Sequence, residues 1–328
     1  MHLFVLIPCK DEATTLPRVL EGIPRAIPGV SRISVLVVDD GSVDGTADVA
    51  VAHGADHVIR FATNRGLARA FAVGMDRCLE LGADLIVGTD GDNQYKSSQI
   101  SDLLAPILRG EADLVVGDRG VASNPHFAFL KRLLERMGSL VVGVAAGRRI
   151  PDAVSGFRAY SREAALALNV STTHSYSVDT LLQAVRKGLA LKFVPVETNA
   201  TERKSRLAPS TAIYIRRQAA TALRLYYIYQ PLRLFAAAGA LMVAAGAALG
   251  IRFLVLFLTR GGTGNVQSLI LAAILIVVGF QVVLTGVLAD LTATNRKLIE
   301  DLLARQRDSR KPHPGQGEGG SGPGEAPG

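Results

Sequence analysis

The sequence predicts an α/β domain, a mainly parallel sheet covered by helices on both faces, followed by an interfacial helix and two membrane-spanning helices. Three observations predict this. Short runs of Val, Ile and Leu alternate with helical stretches over the N-terminal third of the chain, the pattern of strand–helix–strand units. Each run ends in a polar cluster, as at the carboxyl rim of a parallel sheet, where ligands bind. Two uncharged runs, Leu234–Ile251 and Val266–Ala289, lie near the C-terminus; at about 1.5 Å per residue each reaches across a hydrocarbon core of about 30 Å.

Strands are expected at Phe4–Pro8, Ile33–Asp39, Val58–Phe61, Leu85–Thr89 and Leu114–Gly117. Helices are expected at Ala13–Ile23, Gly45–His53, Gly66–Glu80 and Ser97–Arg109. Further on, Phe127–Ala146 and Val178–Lys187 read as helices and Lys192–Val196 as a strand. The domain plan is residues 1–209 as a cytoplasmic domain, 210–231 as an amphipathic juxtamembrane helix and 232–291 as a two-helix transmembrane hairpin. Residues 292–310 follow as a cytosolic helix, and 311–328, rich in Gly and Pro, as a disordered tail.

Charge is unevenly spread. Of the net +7, nine basic residues and one acidic fall between Thr201 and Arg260, so the excess sits beside the apolar helices and suits anionic lipid. No nucleic-acid-binding signature occurs, which argues against a nucleic-acid partner. Within Thr211–Tyr229, Arg217 and Arg224 share a helix face and four of the seven tyrosines are close by, the composition of a headgroup-zone helix. Basic residues precede the first span and follow the second, which predicts a multi-pass inner (cytoplasmic) membrane protein with both termini in the cytoplasm. Arg252 near the end of the first span either snorkels outward or faces the partner helix. Paired spans also suit a homo-oligomer. Cys9 and Cys78 sit in unrelated contexts, which points to a reduced compartment and neither a disulfide framework nor a zinc site.

The polar clusters fall at Lys10-Asp11-Glu12, Asp39-Asp40-Gly41-Ser42, Asn64-Arg65-Gly66, Asp90-Gly91-Asp92 and Asp118-Arg119, one after each strand. Acidic groups after the second strand suit a ribose or a base edge. Asp90 and Asp92 after the fourth, with Gln94 beyond, suit Mg²⁺ or Mn²⁺, which takes one or two carboxylates and completes its shell with substrate phosphates. A polar turn of Asp, Gly and Asn is the plainer reading of that stretch taken alone. No G-x-G-x-x-G follows the first strand and no G-x-x-x-x-G-K-[ST] occurs, against dinucleotide and P-loop binding.

Ile7-Pro-Cys-Lys-Asp-Glu12, Val37-Val-Asp-Asp-Gly-Ser-Val-Asp-Gly-Thr46 and Asp90-Gly-Asp92 resemble the nucleotide-sugar domain of family 2 glycosyltransferases with the GT-A fold. Ser155-Gly-Phe-Arg158 resembles the branch of dolichol-phosphate mannose synthase and bacterial polyprenyl-phosphate glycosyltransferases. The chain departs from relatives at Cys9-Lys10-Asp11 and at Tyr95, which leaves base and sugar open. The resemblance implies that Pro8, Glu12 and Asp39 contact the nucleoside, with Lys10, Asp40 and Asn64 also in the nucleotide-sugar site. Asp90, Asp92 and Gln94 match the metal and diphosphate site, and Arg119 a basic residue near the sugar-phosphate. Asp152 is the acidic position near the reacting centre, and Arg158 either holds it or meets the acceptor phosphate. Asp92, Asp152 and Arg158 are thus the expected catalytic group. Arg203, Lys204 and Arg206 form a basic loop that covers the donor or grips the acceptor phosphate, with Arg217 near it.

The resemblance therefore implies an inverting transfer of a hexose or related sugar from a UDP- or GDP-sugar to a polyprenyl phosphate, with Mg²⁺ or Mn²⁺ as cofactor. A phosphate nucleophile is already ionised at neutral pH, so Asp152 has less need to act as a base than with a hydroxyl acceptor. A processive polysaccharide synthase would need a Q-x-x-R-W motif, and the chain has no Trp. A glycolipid hydroxyl acceptor of diacylglycerol or ceramide type, and a membrane-anchored scaffold that only binds nucleotide-sugar, remain as alternatives.

Overall fold

The computed structural model describes residues 1–120, 138–140, 142–143, 146–170, 176–199, 231–260 and 266–309. The expected amphipathic helix 210–231, the tail, Arg203, Lys204, Arg206 and Arg217, and most of the Phe127–Ala146 helix lie outside them. By contacts the chain divides into two units, Met1–Arg206 with Asp301–Gly328, and Leu207–Glu300.

In the first unit β1 (His2–Cys9), α1 (Leu16–Glu21), β2 (Arg32–Asp39), α2 (Thr46–Ala52), β3 (His57–Arg60), α3 (Leu67–Glu80), β4 (Leu85–Gly88), α4 (Ile100–Leu108) and β5 (Leu114–Asp118) alternate as expected. Then come β6 (Arg158–Ser161), α5 (Arg162–Ala167), α6 (Tyr176–Arg186) and β7 (Leu191–Pro195). The seven strands form one sheet in the order β3-β2-β1-β4-β6-β5-β7. Among these described strands only β6 runs antiparallel, pairing with both β4 and β5. Its four residues, Arg-Ala-Tyr-Ser, carry no apolar run, so neither it nor α5 was expected.

Successive residues of β1 alternate between two cores. Leu3, Val5 and Ile7 join Leu16, Val19, Leu103 and Leu104, while Phe4 and Leu6 are equally buried on the other face. That double burial explains the unbroken apolar runs. On the second face α3 lies close because Gly74 has no side chain: a Cβ there would stand 2.2 Å from Leu6 Cδ1.

The second unit holds α7 (Pro231–Arg260) and, as far as Glu300, α8 (Val266–Ser309). Both are long and apolar enough to cross a membrane, over Leu234–Thr259 and Val266–Ala293, with mean hydropathy 2.3 and 2.6. The second span and the helix expected over 292–310 form one continuous helix. Residues 281–309 contain no Pro and a single Gly, Gly286, so nothing stops propagation and one helix of 44 residues results. The two helices pack antiparallel through glycines. A Cβ at Gly239 would lie 2.6 Å from the Gly279 carbonyl oxygen, and one at Gly246 2.8 Å from the Ala272 carbonyl oxygen. Such close approach gives dispersion contact without any apolar advantage over lipid. Gly239→Leu is expected to cost about 1–3 kcal/mol by overpacking. Gly250→Leu, at a position with nothing within 4 Å of its Cβ, is expected to be neutral; thermal melts in detergent compare the two.

Candidate active site

The carboxyl ends of β1, β2, β4 and β5 share one rim, and antiparallel β6 brings a fifth loop there. Gly88 ends β4 opposite Arg158, which begins β6, so the Asp152–Phe157 loop arrives beside Asp90. The loops after β1 and β2 are tied together. Asp11 N–H donates to Ser42 Oγ at 2.8 Å, Glu12 N–H to Thr46 Oγ1 at 2.9 Å and Ala13 N–H to Asp44 Oδ2 at 3.0 Å. The Asp39–Thr46 motif is thus chiefly a loop lock. Gly41 sits at φ 70° with its Cα against Thr63; a Cβ would stand 2.7 Å from the Thr63 carbonyl carbon, so only glycine fits.

Within that lock the expected nucleoside residues separate. Asp39 is fully buried. Its Oδ1 accepts from Ser42 N–H at 2.9 Å, while Oδ2 has no hydrogen-bond partner and its nearest cation is Arg60 Nε at 3.8 Å. A buried acceptor left open is costly and calls for an N–H or hydroxyl donor. Asp40 is different: its two oxygens accept from Arg65 N–H at 2.6 Å and Gly66 N–H at 2.9 Å, at the start of α3. Asp40, expected at the nucleotide-sugar site, thus anchors a helix terminus through one N–H on each oxygen. Asn64 is exposed and also accepts from Gly66 N–H, at 3.0 Å. Pro8 is buried beside Val38 in the β1–β2 pairing, and Lys10 is half-buried at the loop's start.

Asp90 and Asp92 lie close enough to repel each other. Burial first, then the Asp92 charge, pushes the Asp90 carboxyl up to about 7, with Arg119 opposing and Glu12 adding repulsion. Asp92 Oδ1 accepts from Gln94 N–H at 3.0 Å. Thr15 Oγ1 is shared between Glu12 Oε2 and the Gly91 carbonyl, at 2.9 and 2.8 Å, which binds the loop to the β1 side. Tyr95, buried and stacked on Phe157 at 5.2 Å, accepts from Gly156 N–H at 3.1 Å. Among the described residues no three His, Cys, Asp or Glu side chains form a ready ligand set. Two like-charged carboxylates, with Asp90 raised in pKa by burial and by its neighbour's charge, fit a hard divalent cation whose shell is completed from elsewhere.

Gly156 sets the clearance. A Cβ on it would stand 3.0 Å and 3.1 Å from the two Asp90 carboxylate oxygens and 2.9 Å from Tyr176 Oη. Gly156→Ala is expected to displace the carboxylate and lower kcat/KM about a hundredfold, the usual cost of misplacing a reacting group by an ångström. Unchanged steady-state kinetics would contradict this clearance argument. Tyr176 carries no motif of its own, and although Gly156 lies within Ser155-Gly-Phe-Arg158 and Tyr95 follows Gln94, nothing in the sequence placed them around Asp90.

Asp152 and Arg119 form a buried, bidentate ion pair, Nε to Oδ2 at 2.7 Å and Nη2 to Oδ1 at 2.9 Å. Oδ1 also accepts from Val154 and Ser155 N–H, both at 3.1 Å. Burial alone would raise the Asp152 pKa, but hydrogen bonds and charge from Arg119 overcome it and hold the carboxyl below its usual value. Asp152 is a caged anion that orients Arg119, with no lone pair set aside for a proton. Arg158, fully buried, donates to the carbonyls of Ser155, Ala153 and Ser177 and to Thr180 Oγ1. Those bonds hold the 153–155 loop, so of its two expected roles the geometry supports holding Asp152 rather than meeting an acceptor phosphate.

Over 206 residues the chain is 31% identical to an undecaprenyl-phosphate mannosyltransferase of Micrococcus luteus, covering 60% of this chain and 83% of that one. A polyprenol monophosphomannose synthase of Mycolicibacterium smegmatis is 30% identical over 203 residues, 58% of this chain and 75% of its own. Glucosyl-3-phosphoglycerate synthase of Mycobacterium tuberculosis, solved with Mn²⁺ and uridine-diphosphate-glucose, shares the fold at TM-score 0.50 and 24% identity, covering 68% of this chain and 77% of that one. Residues 4–168 match the family model of glycosyl transferase family 2; with that match over half of its length, the chain belongs to this family and is a glycosyltransferase.

Proposed function

We propose that the enzyme moves a hexose or related sugar from a nucleoside-diphosphate sugar to a polyprenyl phosphate at the inner face of a membrane, inverting the anomeric centre. The observation that carries the acceptor is the cage around Asp152. A hydroxyl acceptor needs a base, and Asp152 has its oxygens filled by Arg119, Val154 and Ser155. A phosphate oxygen is ionised already and needs none. The names of the M. luteus and M. smegmatis relatives point to the same acceptor class.

In this reading Asp39 Oδ2 receives a donor N–H or hydroxyl of the nucleoside, and Asp90 and Asp92, with Gln94, hold Mg²⁺ or Mn²⁺. Bound there, the cation neutralises charge on the departing diphosphate. Arg119, kept rigid by Asp152, presents a fixed guanidinium to the sugar-phosphate. The acceptor phosphate oxygen forms a bond to the anomeric carbon as the bond to the diphosphate oxygen breaks, and the diphosphate leaves with the electron pair. The 26- and 28-residue apolar spans keep the enzyme in the bilayer that dissolves its acceptor.

The test is transfer of radiolabelled sugar from UDP- and GDP-sugars to undecaprenyl phosphate in proteoliposomes, with Mn²⁺ or EDTA. Cation-dependent, alkali-stable but acid-labile lipid product is expected. Transfer to diacylglycerol or ceramide, with none to the lipid phosphate, would overturn the acceptor assignment.

A further inference from the structure

Asn199 lies just past β7, and none of the chemistry above uses it. Its backbone N–H donates to the Gln94 carbonyl at 2.9 Å, and its side-chain Nδ2 donates to the Asn93 carbonyl, also at 2.9 Å. One residue earlier, Thr198 pairs with Tyr95 in an antiparallel bridge. One earlier still, Glu197 takes Gln99 Oε1 through its N–H at 2.8 Å and pairs its carboxylate with Lys96. Residues 197–199 therefore run alongside 93–99 as a strap fastened by these contacts.

What the strap holds is the turn that carries Asp92. Asn93 sits at φ 58°, a left-handed conformation that residues other than glycine adopt only where their surroundings impose it. Asp92 Oδ1 is folded back onto Gln94 N–H, so the direction of the carboxylate depends on the turn keeping its shape. The two carbonyls that follow Asp92 in the chain, those of Asn93 and Gln94, both end on Asn199. One residue supplies two donors to consecutive carbonyls; an alanine in its place keeps only the backbone one.

We infer that Asn199 is a positioning residue for the divalent cation at Asp90 and Asp92: by fixing Asn93 and Gln94 it fixes where the Asp92 carboxylate points. The inference rests on the metal reading proposed above. Groups that orient a ligand without touching the metal commonly change affinity 10- to 100-fold when lost. Removal of one of the two donated bonds belongs at the low end of that range.

Mn²⁺ binding to the full-length protein in detergent is measured from the paramagnetic resonance of the free ion, alongside melting curves in EDTA. Asn199→Ala is expected to bind Mn²⁺ about tenfold more weakly than wild type with a cooperative melt, and Asp92→Asn to lose the site. If Asn199→Ala does not fold, Asn199→Ser carries the test with the same expected loss. Wild-type Mn²⁺ affinity in whichever variant folds, with binding lost in Asp92→Asn, overturns the positioning role and leaves the metal reading standing. Wild-type affinity in Asp92→Asn itself overturns the metal reading, and this inference with it.

Discussion

Asp90→Asn is expected to lower sugar transfer by a factor on the order of a hundred to a thousand and, at pH 8 in EDTA, to raise the melting temperature. The two effects have one cause. Burial and the Asp92 charge lift the Asp90 carboxyl to about 7 in the folded protein from an ordinary value of 3.8. A raised carboxyl binds its proton more tightly when folded than when unfolded. Its favourable contribution is complete below pH 3.8 and is lost as pH rises through about 7. Above that, the metal-free protein carries an unrelieved repulsion, which the neutral amide removes. Mn²⁺ should stabilise the wild type at pH 8 and leave the variant unaffected, because ligand bound only to the folded state raises its stability. Melting curves at pH 6 and pH 8, each with EDTA and with Mn²⁺, decide the matter. A variant that melts below wild type at pH 8 in EDTA would show that the carboxylate supports the fold and not a cation.

The second large effect is on stability. Asp152→Ala leaves the Arg119 guanidinium, 7% exposed, buried without its carboxylate. Breaking a buried pair from one side costs about 3–5 kcal/mol. Arg119→Ala should cost a similar amount from the other side. The double variant Asp152→Ala with Arg119→Ala should be less destabilised than the two single effects added, because no uncompensated charge remains. Denaturant unfolding of the four proteins measures this coupling. Additive losses would mean that Asp152 does not hold Arg119. Since the Asp152 carboxyl lies below its usual value, its contribution is present above the ordinary 3.8 and is lost only as pH falls below that. Stability between pH 5 and 9 should owe nothing to its titration.

Much of the framework was legible because burial writes itself into composition. β1, β2, β4 and β5 are shielded on both faces, so their residues are apolar without alternation, and their ends are marked by Asp, Gly and Asn. The two spans were legible for the same reason, since hydrocarbon tolerates so few polar groups. β6 was not. Arg158-Ala-Tyr-Ser161 is a strand because β4 and β5 on either side complete its hydrogen bonds, a condition set by residues more than forty positions upstream. That the second span runs on as one helix to Ser309 was not legible, because a change from apolar to charged composition marks leaving the bilayer, not leaving the helix.

The site divides in the same way. Sequence by itself determined which residue types could do the chemistry: Asp39, Asp90, Asp92, Arg119 and Asp152 were identified by kind and by place along the chain. Only the tertiary structure decided what each touches. Asp39 and Asp40 are neighbours of identical chemistry, yet one keeps an open oxygen and the other spends both on the start of α3. Asp152 and Asp90 are both buried carboxylates, yet a guanidinium drives the first down while a second carboxylate drives the other up. A side chain's charge and basicity depend on the groups within a few ångströms of it, and in this fold those groups come from other strands, at distances along the chain that no local pattern encodes.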